Sequence, residues 1–478
     1  MFKVPKEVEE ISEIFKSHGK KLYIVGGYVR DQYLEVKSFI RDDIDLCSNV
    51  KPKELKVMFE GTKFSISALN EKLGVMLIFG AKRYEYACFR KETYDDSSHI
   101  PHKIEFISSL ETDAVRRDFK INAIYYDIQE KEYIDPLGGI ADLKMRQIST
   151  VLDPKIVFND DPERILRLIR FACTLGLEIP DEEFRYAKKN APKIAFISKL
   201  RLKREFEKLL TADQFYPELY FTKEAHFRAM VLLGEIDAWK IIMPAVYDLQ
   251  KTKFVDKKGE PIYEHTLNCL KAASPKIRLA ILLHDSAKVK TMEKRNSFFG
   301  SKEFVSTIVE ANLGTEGLGF SNELVKKTTK IILGYDFNHF GLCPEKTVRK
   351  FIFDNHDVIE NIIEIKDVIK NENKEIPRFA RSSMILRNVY NKMLKQGSPF
   401  VLADLKINGN DIIKNFPDIK VENIDTLLDN LLFEAAVNPR KNNKESLIVL
   451  TRKMINSNRD FYLDEWLLWL FQFQAWQF

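Results

Sequence analysis

Cysteine is scarce in this chain, with five residues in 478. Cys47, Cys88, Cys173, Cys269 and Cys343 are odd in number, far apart and never arranged as Cys-x-x-Cys. That pattern argues against a disulfide scaffold and a thiolate zinc site, and it points to a reducing cytoplasm. Long apolar runs are missing as well. Residues 1–16 alternate charged and apolar side chains and lack the apolar core of a secretory signal. The aromatic run 466–478 is shorter than the roughly 20 apolar residues that cross a bilayer, so a final core helix is expected there and no membrane partner. No fixed-period repeat is present. Neither charge sign dominates: 75 basic against 70 acidic residues leaves +5, which excludes a chain-wide nucleic-acid coat but not local basic stripes. With 45% apolar and 30% charged residues the chain is an ordinary globular one, and disorder is excluded as its main theme. Its length suits about three or four domains.

Short runs rich in Val, Ile, Tyr and Phe at 22–25, 44–47, 75–79, 84–89 and 123–128 predict strands. A helix over 6–17 precedes the first, and another follows Gly26-Gly27. Beyond about residue 150 strand signals almost vanish. Apolar residues recur at helical spacing over 165–175, 200–210, 277–283, 323–333 and 424–436, which predicts an all-α remainder. Pro275, the Lys257-Lys258-Gly259 turn and the polar stretch 370–377 are weak boundary signals.

Residues 22–31 read Leu-Tyr-Ile-Val-Gly-Gly-Tyr-Val-Arg-Asp. A strand that ends in Gly26 and Gly27 and then opens a helix lets a phosphate reach backbone N–H groups at the helix N-terminus. Arg30 would add a cationic fork for a triphosphate. The plain alternative is a turn, and the spacings of a Walker loop or dinucleotide fingerprint are missing. Residues 41–47, Arg-Asp-Asp-Ile-Asp-Leu-Cys, sharpen the reading. Asp43 and Asp45 lie two apart on a predicted strand, so both carboxylates share a face while Ile44 and Leu46 turn to the core. Like charges this close repel unless a cation sits between them, and paired carboxylates are hard-oxygen ligands suited to Mg²⁺. Two such metals can activate an attacking hydroxyl and stabilise a leaving pyrophosphate. A solvated polar face at a sheet edge is the other reading. Glu85, between Tyr84 and Tyr86, is the expected third carboxylate; its alternative is an edge-strand glutamate paired with Arg83 or Arg90.

Together these residues resemble the class II tRNA nucleotidyltransferase and bacterial poly(A) polymerase family, within the polymerase-β-like superfamily. Further segments follow in the family's order: Phe89-Arg-Lys-Glu-Thr-Tyr-Asp95 as the flexible-loop region, Arg116-Arg-Asp-Phe-Lys-Ile-Asn-Ala123, Asp135-Pro-Leu-Gly-Gly139 with Asp142-Leu143, Asp160-Asp-Pro-Glu-Arg-Ile-Leu-Arg-Leu-Ile-Arg-Phe171, and Ile407-Asn-Gly-Asn-Asp411 as the tail signature. Strong resemblance covers 22–210 and fainter resemblance reaches about 440. Lys120 stands where the family usually has Thr, and Leu200 where it usually has Glu, although Arg201 and Glu205 fit. Both departures bear on tRNA handling or nucleotide switching, and neither touches the metal pair.

The resemblance implies an α+β molecule: a nucleotidyltransferase head with a mixed sheet over 1–145, a helical neck for base recognition over 146–215, a helical body over 216–370 and a tRNA-binding helical tail over 371–478. The implied reaction is template-independent CCA addition to tRNA from CTP and ATP, with Mg²⁺ on Asp43 and Asp45 and Glu85 beside them. Gly26, Gly27, Arg30 and Arg116 would hold the nucleotide. Asp161 and Arg164 would read the base, with Arg167 and Arg170 assisting. The chemistry suits that role. Cytosine and adenine each present an amino donor beside an unprotonated ring nitrogen, which Asp and Arg can pair, whereas uracil and guanine reverse that order. From the residues alone, Asp161 before Pro162 reads first as a helix N-cap, a preference that the resemblance reverses, and Arg116 has the alternative of a salt bridge with Asp113 or Asp118.

Two features lie outside that core. Between 185 and 208 stand nine basic residues, Arg185, Lys188, Lys189, Lys193, Lys199, Arg201, Lys203, Arg204 and Lys208, opposed by Glu205 and Glu207. They suit a phosphate backbone or a plain solvated face. His265 and His284-Asp285 resemble the HD phosphohydrolase module of some relatives, but Ser301 and Tyr335 stand near places where further histidines are expected. A degenerate structural remnant is the expectation. The alternatives to full CCA addition are A-only or CC-only addition, poly(A) polymerase, a non-catalytic tRNA-binding protein and an HD phosphohydrolase. Arg90, Glu92 and Tyr94 in the loop segment argue against CC-only addition. No protein partner is implied.

Overall fold

A computed structural model describes residues 2–36, 43–94, 101–255, 259–295, 301–338, 341–372, 377–417, 419 and 421–457. The helix expected over 466–478, the pair Arg41-Asp42, the Lys257-Lys258 pair and the loop segment from Asp95 lie outside these residues. The chain forms two compact units, Met1–Val325 and Lys326–Phe478. Their division falls inside the 216–370 span expected as one body.

The first unit opens with helix α1 (Lys6–Ser17), which buries Val8, Ile11 and Phe15 on one stripe. Strand β1 (Tyr23–Val25) follows, then α2 (Gly27–Tyr33), β2 (Asp45–Ser48), β3 (Ser65–Asn70), β4 (Val75–Phe79), β5 (Arg83–Cys88), β6 (Arg90–Thr93), β7 (Lys103–Phe106), β8 (Tyr125–Asp127) and β9 (Glu132–Ile134). Seven strands form one sheet in the order β3-β4-β5-β2-β1-β8-β9, and β6 and β7 make a separate hairpin. Only the β2–β5 pairing is parallel, so the sheet is mixed, as expected. On β5, Tyr84, Tyr86 and Cys88 are buried and Arg83 and Glu85 exposed, the period-2 pattern of a half-covered strand. Phe15 packs against Tyr86 and Phe59 beneath it. β3 carries no such alternation because its residues are nearly all exposed, and it was not legible in the sequence.

Helices take over after the sheet. α3 (Glu163–Leu175) buries every residue except Glu163 and Arg167, and a left-handed Gly176 ends it. It packs against α4 (Lys199–Leu210) and the helix Ala225–Glu235. A helix covered all round must find partners for any charge it carries, which decides what its arginines do. Farther on, α5 (Ile262–Ala272) and α6 (Arg278–Leu283) pack together. In the second unit, helices Glu345–Asp354, Ile359–Glu372 and Pro377–Lys395 share a core of Val348, Ile352, Ile359, Ile363, Leu386 and Met393. There the tail signature is a helix start: Asn408 accepts from Asp411 N at 3.1 Å, while Asn408 N donates to the Asp411 carboxylate at 3.3 Å. Among the described residues no helix is long and apolar enough to cross a membrane.

Candidate active site

β1 leads into Gly26, whose φ of +81° and ψ of −138° are open to glycine and strained for other residues. α2 starts at once from Gly27. Across the sheet, Val25 pairs with Asp45 and Asp45 pairs with Glu85. Asp45 and Glu85 are therefore neighbours on one face of adjacent strands, about one strand spacing apart. A Cβ added to Gly26 would lie 3.6 Å from Asp45 Oδ2, so the turn and this carboxylate are adjacent. Asp43, Asp45 and Glu85 are exposed, and Ile44 is buried between the two aspartates. Two details differ from expectation. β2 begins at Asp45, so Asp43 precedes the strand. β5 is paired on both sides, so Glu85 is not on an edge, and Arg90 pairs with Glu92 at 2.7 Å. Exposed hard-oxygen donors beside a glycine turn fit a divalent cation. Asp43, Asp45 and Glu85 do not draw together into a group of three donors within 4.8 Å of one another.

The arginines carry the main corrections. Arg30 is 3% exposed and is not open to a triphosphate. Its Nε and Nη2 donate to Asp31 Oδ1 at 2.9 and 2.7 Å, Nη1 to Asn122 Oδ1 at 2.7 Å, and Nη2 to the Tyr216 oxygen at 2.9 Å. Tyr216 OH in turn donates to Asp31. Arg170 is 1% exposed and donates from Nε to Glu205 Oε2 at 2.8 Å, so its guanidinium is held in the core. Arg167 is the open one. Its side chain is 32% exposed, and Nε and Nη2 donate to Asp118 Oδ2 at 2.7 and 2.5 Å. Burial opposes the charge of Asp118, but Arg167 and Asn122 hold its carboxyl down at about 2.

Asp161 and Arg164 lie one turn apart and are joined by the backbone bond from Arg164 N to the Asp161 carbonyl at 3.0 Å, but their side chains go to other partners. Asp161 Oδ1 caps α3 by accepting from Glu163 N at 3.1 Å, and Oδ2 accepts from Arg201 Nη2 at 2.6 Å. Arg164 Nη2 donates to the Arg116 carbonyl at 2.8 Å. Arg116 itself donates from Nε to Asp113 at 2.7 Å, the salt-bridge alternative. Sequence reasoning gave Asp113 only as a salt-bridge partner of Arg116 and missed its wider role: it is fully buried and also accepts from Arg90 N, Arg117 Nη2 and Tyr125 OH. Burial works against its charge, yet Arg116 and Arg117 keep its carboxyl below the usual range. Tyr216 and Asn122 were missed as well; the contact from Arg30 to Tyr216 spans 186 residues, and no local pattern signals it. At the base of the loop hairpin, Glu92 accepts from Arg90 Nε and from Tyr94 OH at 2.6 Å, and lies 3.7 Å from Arg116 Nη1.

The basic stripe is largely tied down. Arg185, Lys193, Lys199, Arg201, Lys203 and Lys208 each bond to protein oxygens. Lys188, Lys189 and Arg204 are exposed and remain for an external anion. His265, His284 and Asp285, all buried, form the one group of three metal-capable side chains that closes within 4.8 Å among the described residues. Lys288 Nζ lies 2.5 Å from Asp285 Oδ1. All five cysteines are free thiols.

Residues 22–149 match the family described as the poly A polymerase head domain. A CCA-adding enzyme of Anoxybacillus flavithermus is 31% identical over 286 residues, which are 56% of this chain and 70% of that protein. One of Bacillus licheniformis is 36% identical over 197 residues, 41% of this chain and 47% of that protein. The chain thus spans about half the length of that relative and of a Streptococcus suis one. The crystal structure of the Bacillus stearothermophilus CCA-adding enzyme in complex with CTP superposes with a TM-score of 0.62 at 22% identity, over 95% of this chain and 98% of that one, a likeness of fold.

Proposed function

The chain belongs to the family of CCA-adding enzymes, and from that premise we propose that it adds CCA to the 3′ end of tRNA without a template, from CTP and ATP. The tRNA 3′-hydroxyl attacks the α-phosphate, and pyrophosphate leaves. The observation that carries the reading is the register Val25–Asp45–Glu85 beside the Gly26–Gly27 turn. It puts carboxylates next to the place where backbone N–H groups can receive a phosphate.

The family implies a divalent metal, and we take it to be Mg²⁺. Asp43 and Asp45 would hold it, with Glu85 the neighbouring third carboxylate. When bound, it activates the attacking hydroxyl and neutralises charge on the leaving pyrophosphate. Gly26 and Gly27 cradle the nucleotide. Arg116 and Arg167 contact it as well, and Arg30 and Arg170 serve by fixing the scaffold. Asp161 and Arg164 read the base: Asp161 Oδ2 accepts the amino group by giving up or sharing Arg201, while Oδ1 keeps the helix cap. Refusing UTP or GTP then rests on unpaired buried groups, at roughly 1–3 kcal/mol each. Lys188, Lys189 and Arg204 contribute to the grip on the tRNA backbone, and free thiols suit the cytoplasm.

The test is to sequence the 3′ ends made from tRNA lacking CCA, with CTP, ATP, UTP and GTP singly and mixed. CCA from the CTP–ATP mixture is expected. Asp43→Ala and Asp45→Ala should each cut the rate by about a thousandfold or more at unchanged melting temperature, as loss of a main transition-state contact does. Full-rate extension by either variant would sink the metal assignment. A second reading is favoured by the head-domain match: oligo(A) from ATP alone would make this a poly(A) polymerase instead.

A further inference from the structure

Phe171, near the end of α3, has three guanidinium groups around its ring. The centroid lies 4.1 Å from Arg170, 5.2 Å from Arg30 and 5.3 Å from Arg167. Each arginine has its own carboxylate: Glu205, Asp31 and Asp118 respectively. The ring of Phe119 meets Phe171 edge-on at 5.9 Å. Like charges converging in this way repel, whereas the negative face of an aromatic ring attracts each of them. Arg30 and Arg170 are buried, and only Arg167 reaches solvent. With Nε and Nη2 held by Asp118, its Nη1 makes no hydrogen bond among the described residues.

We propose that Phe171 is a positioning residue for the nucleotide. Its π-system fixes the plane of the Arg167 guanidinium so that Nη1 stays presented to the triphosphate of CTP or ATP. The inference rests on the reading above that Arg167 contacts the nucleotide. An aliphatic side chain of similar size fills the same space but has no quadrupole, so filling and presentation separate by experiment.

The assay is steady-state addition by the full chain, with KM measured for CTP, ATP and tRNA, alongside thermal melting. Phe171→Met and Phe171→Leu should raise KM for both nucleotides about twofold to fivefold, the scale of a cation–π contact whose cation is still partly hydrated. KM for tRNA should stay unchanged, and Phe171→Tyr, which keeps the ring, should behave as wild type. In an Arg167→Met background, changing Phe171 should add nothing, because the two residues act as one unit. If Arg167→Met leaves nucleotide KM unchanged, the underlying nucleotide reading fails. If Arg167→Met raises it and folded Phe171→Met does not, only the role of Phe171 fails. A drop in melting temperature with all three KM values moving together, and no rescue by Tyr, means a purely structural ring and also overturns the proposal. Should the Leu variant not fold, the Met and Tyr pair decides.

Discussion

Removing the cation from the buried Arg170–Glu205 pair is the most direct probe of how the helical core carries charge. The two side chains are 1% and 2% exposed and meet at 2.8 Å. Burial pushes the Glu205 carboxyl up, but Arg170, then Arg167 and Lys208, hold it at about 2 against an ordinary 4.5. At about 1.4 kcal/mol per pH unit, that difference is worth roughly 3 kcal/mol. Arg170→Met keeps an unbranched stem and strands a buried carboxylate, at a cost of about 3–5 kcal/mol. Taking about 4 kcal/mol, and about 2.1 cal/mol/K per residue over Met1–Val325, the melting temperature should fall by about 6 °C. Adding Glu205→Leu removes the stranded charge, so the double variant should regain most of the loss. The pH sense follows from a depressed carboxylate: its stabilisation is whole above about 4.5 and is lost as pH falls towards 2. The gap between wild type and Arg170→Met should therefore be full at pH 7 and shrink on acidification through that window. Calorimetry on the three proteins at pH 7 and pH 4 reads all of this. Coincident melting of the single and double variants, or of the single variant and wild type, would refute the reasoning.

Arg30→Lys keeps the charge but loses the fork that joins Asp31, Asn122 and Tyr216, so urea unfolding should show a loss of about 2 kcal/mol. A raised nucleotide KM at unchanged stability would instead restore Arg30 to the triphosphate. At the His265–His284–Asp285 cluster, 2′,3′-cyclic nucleotide with Ni²⁺ should give no turnover, since Lys288 already serves Asp285. Turnover that disappears in His284→Ala would reinstate a hydrolase.

Where the sequence was informative, one face of an element was buried and the other was wet. Residues 6–17 form a helix because Val8, Ile11 and Phe15 fall on one stripe, and β5 is a strand because Tyr84, Tyr86 and Cys88 alternate with charge. β3 failed that test, since nearly all of it is exposed and a strand buried on neither face has no alternation to detect. The hairpin of β6 and β7 was hidden for another reason. The residues of β6 fall in the segment read as a loop motif, and the pairing of Arg90 with Phe106 spans residues that no local rule connects.

The arginines of α3 show a deeper limit. Arg164, Arg167 and Arg170 step round the helix at three-residue intervals, and periodicity treats each as a polar position. What separates them is the partner that each finds: a backbone carbonyl for Arg164, a buried aspartate reached from the surface for Arg167, a sealed glutamate for Arg170. Asp118 lies 49 residues from Arg167, and Glu205 lies 35 from Arg170. A charge enters a core only when its counter-charge arrives from elsewhere in the chain, so its burial is a property of the pair. A single helix read alone therefore marks where charges sit and leaves their direction open. That is why both Arg30 and Arg170 read as nucleotide contacts, and why Arg167, the most exposed of the three arginines on α3, became distinguishable only once Asp118, Phe171 and Glu205 were in place around it.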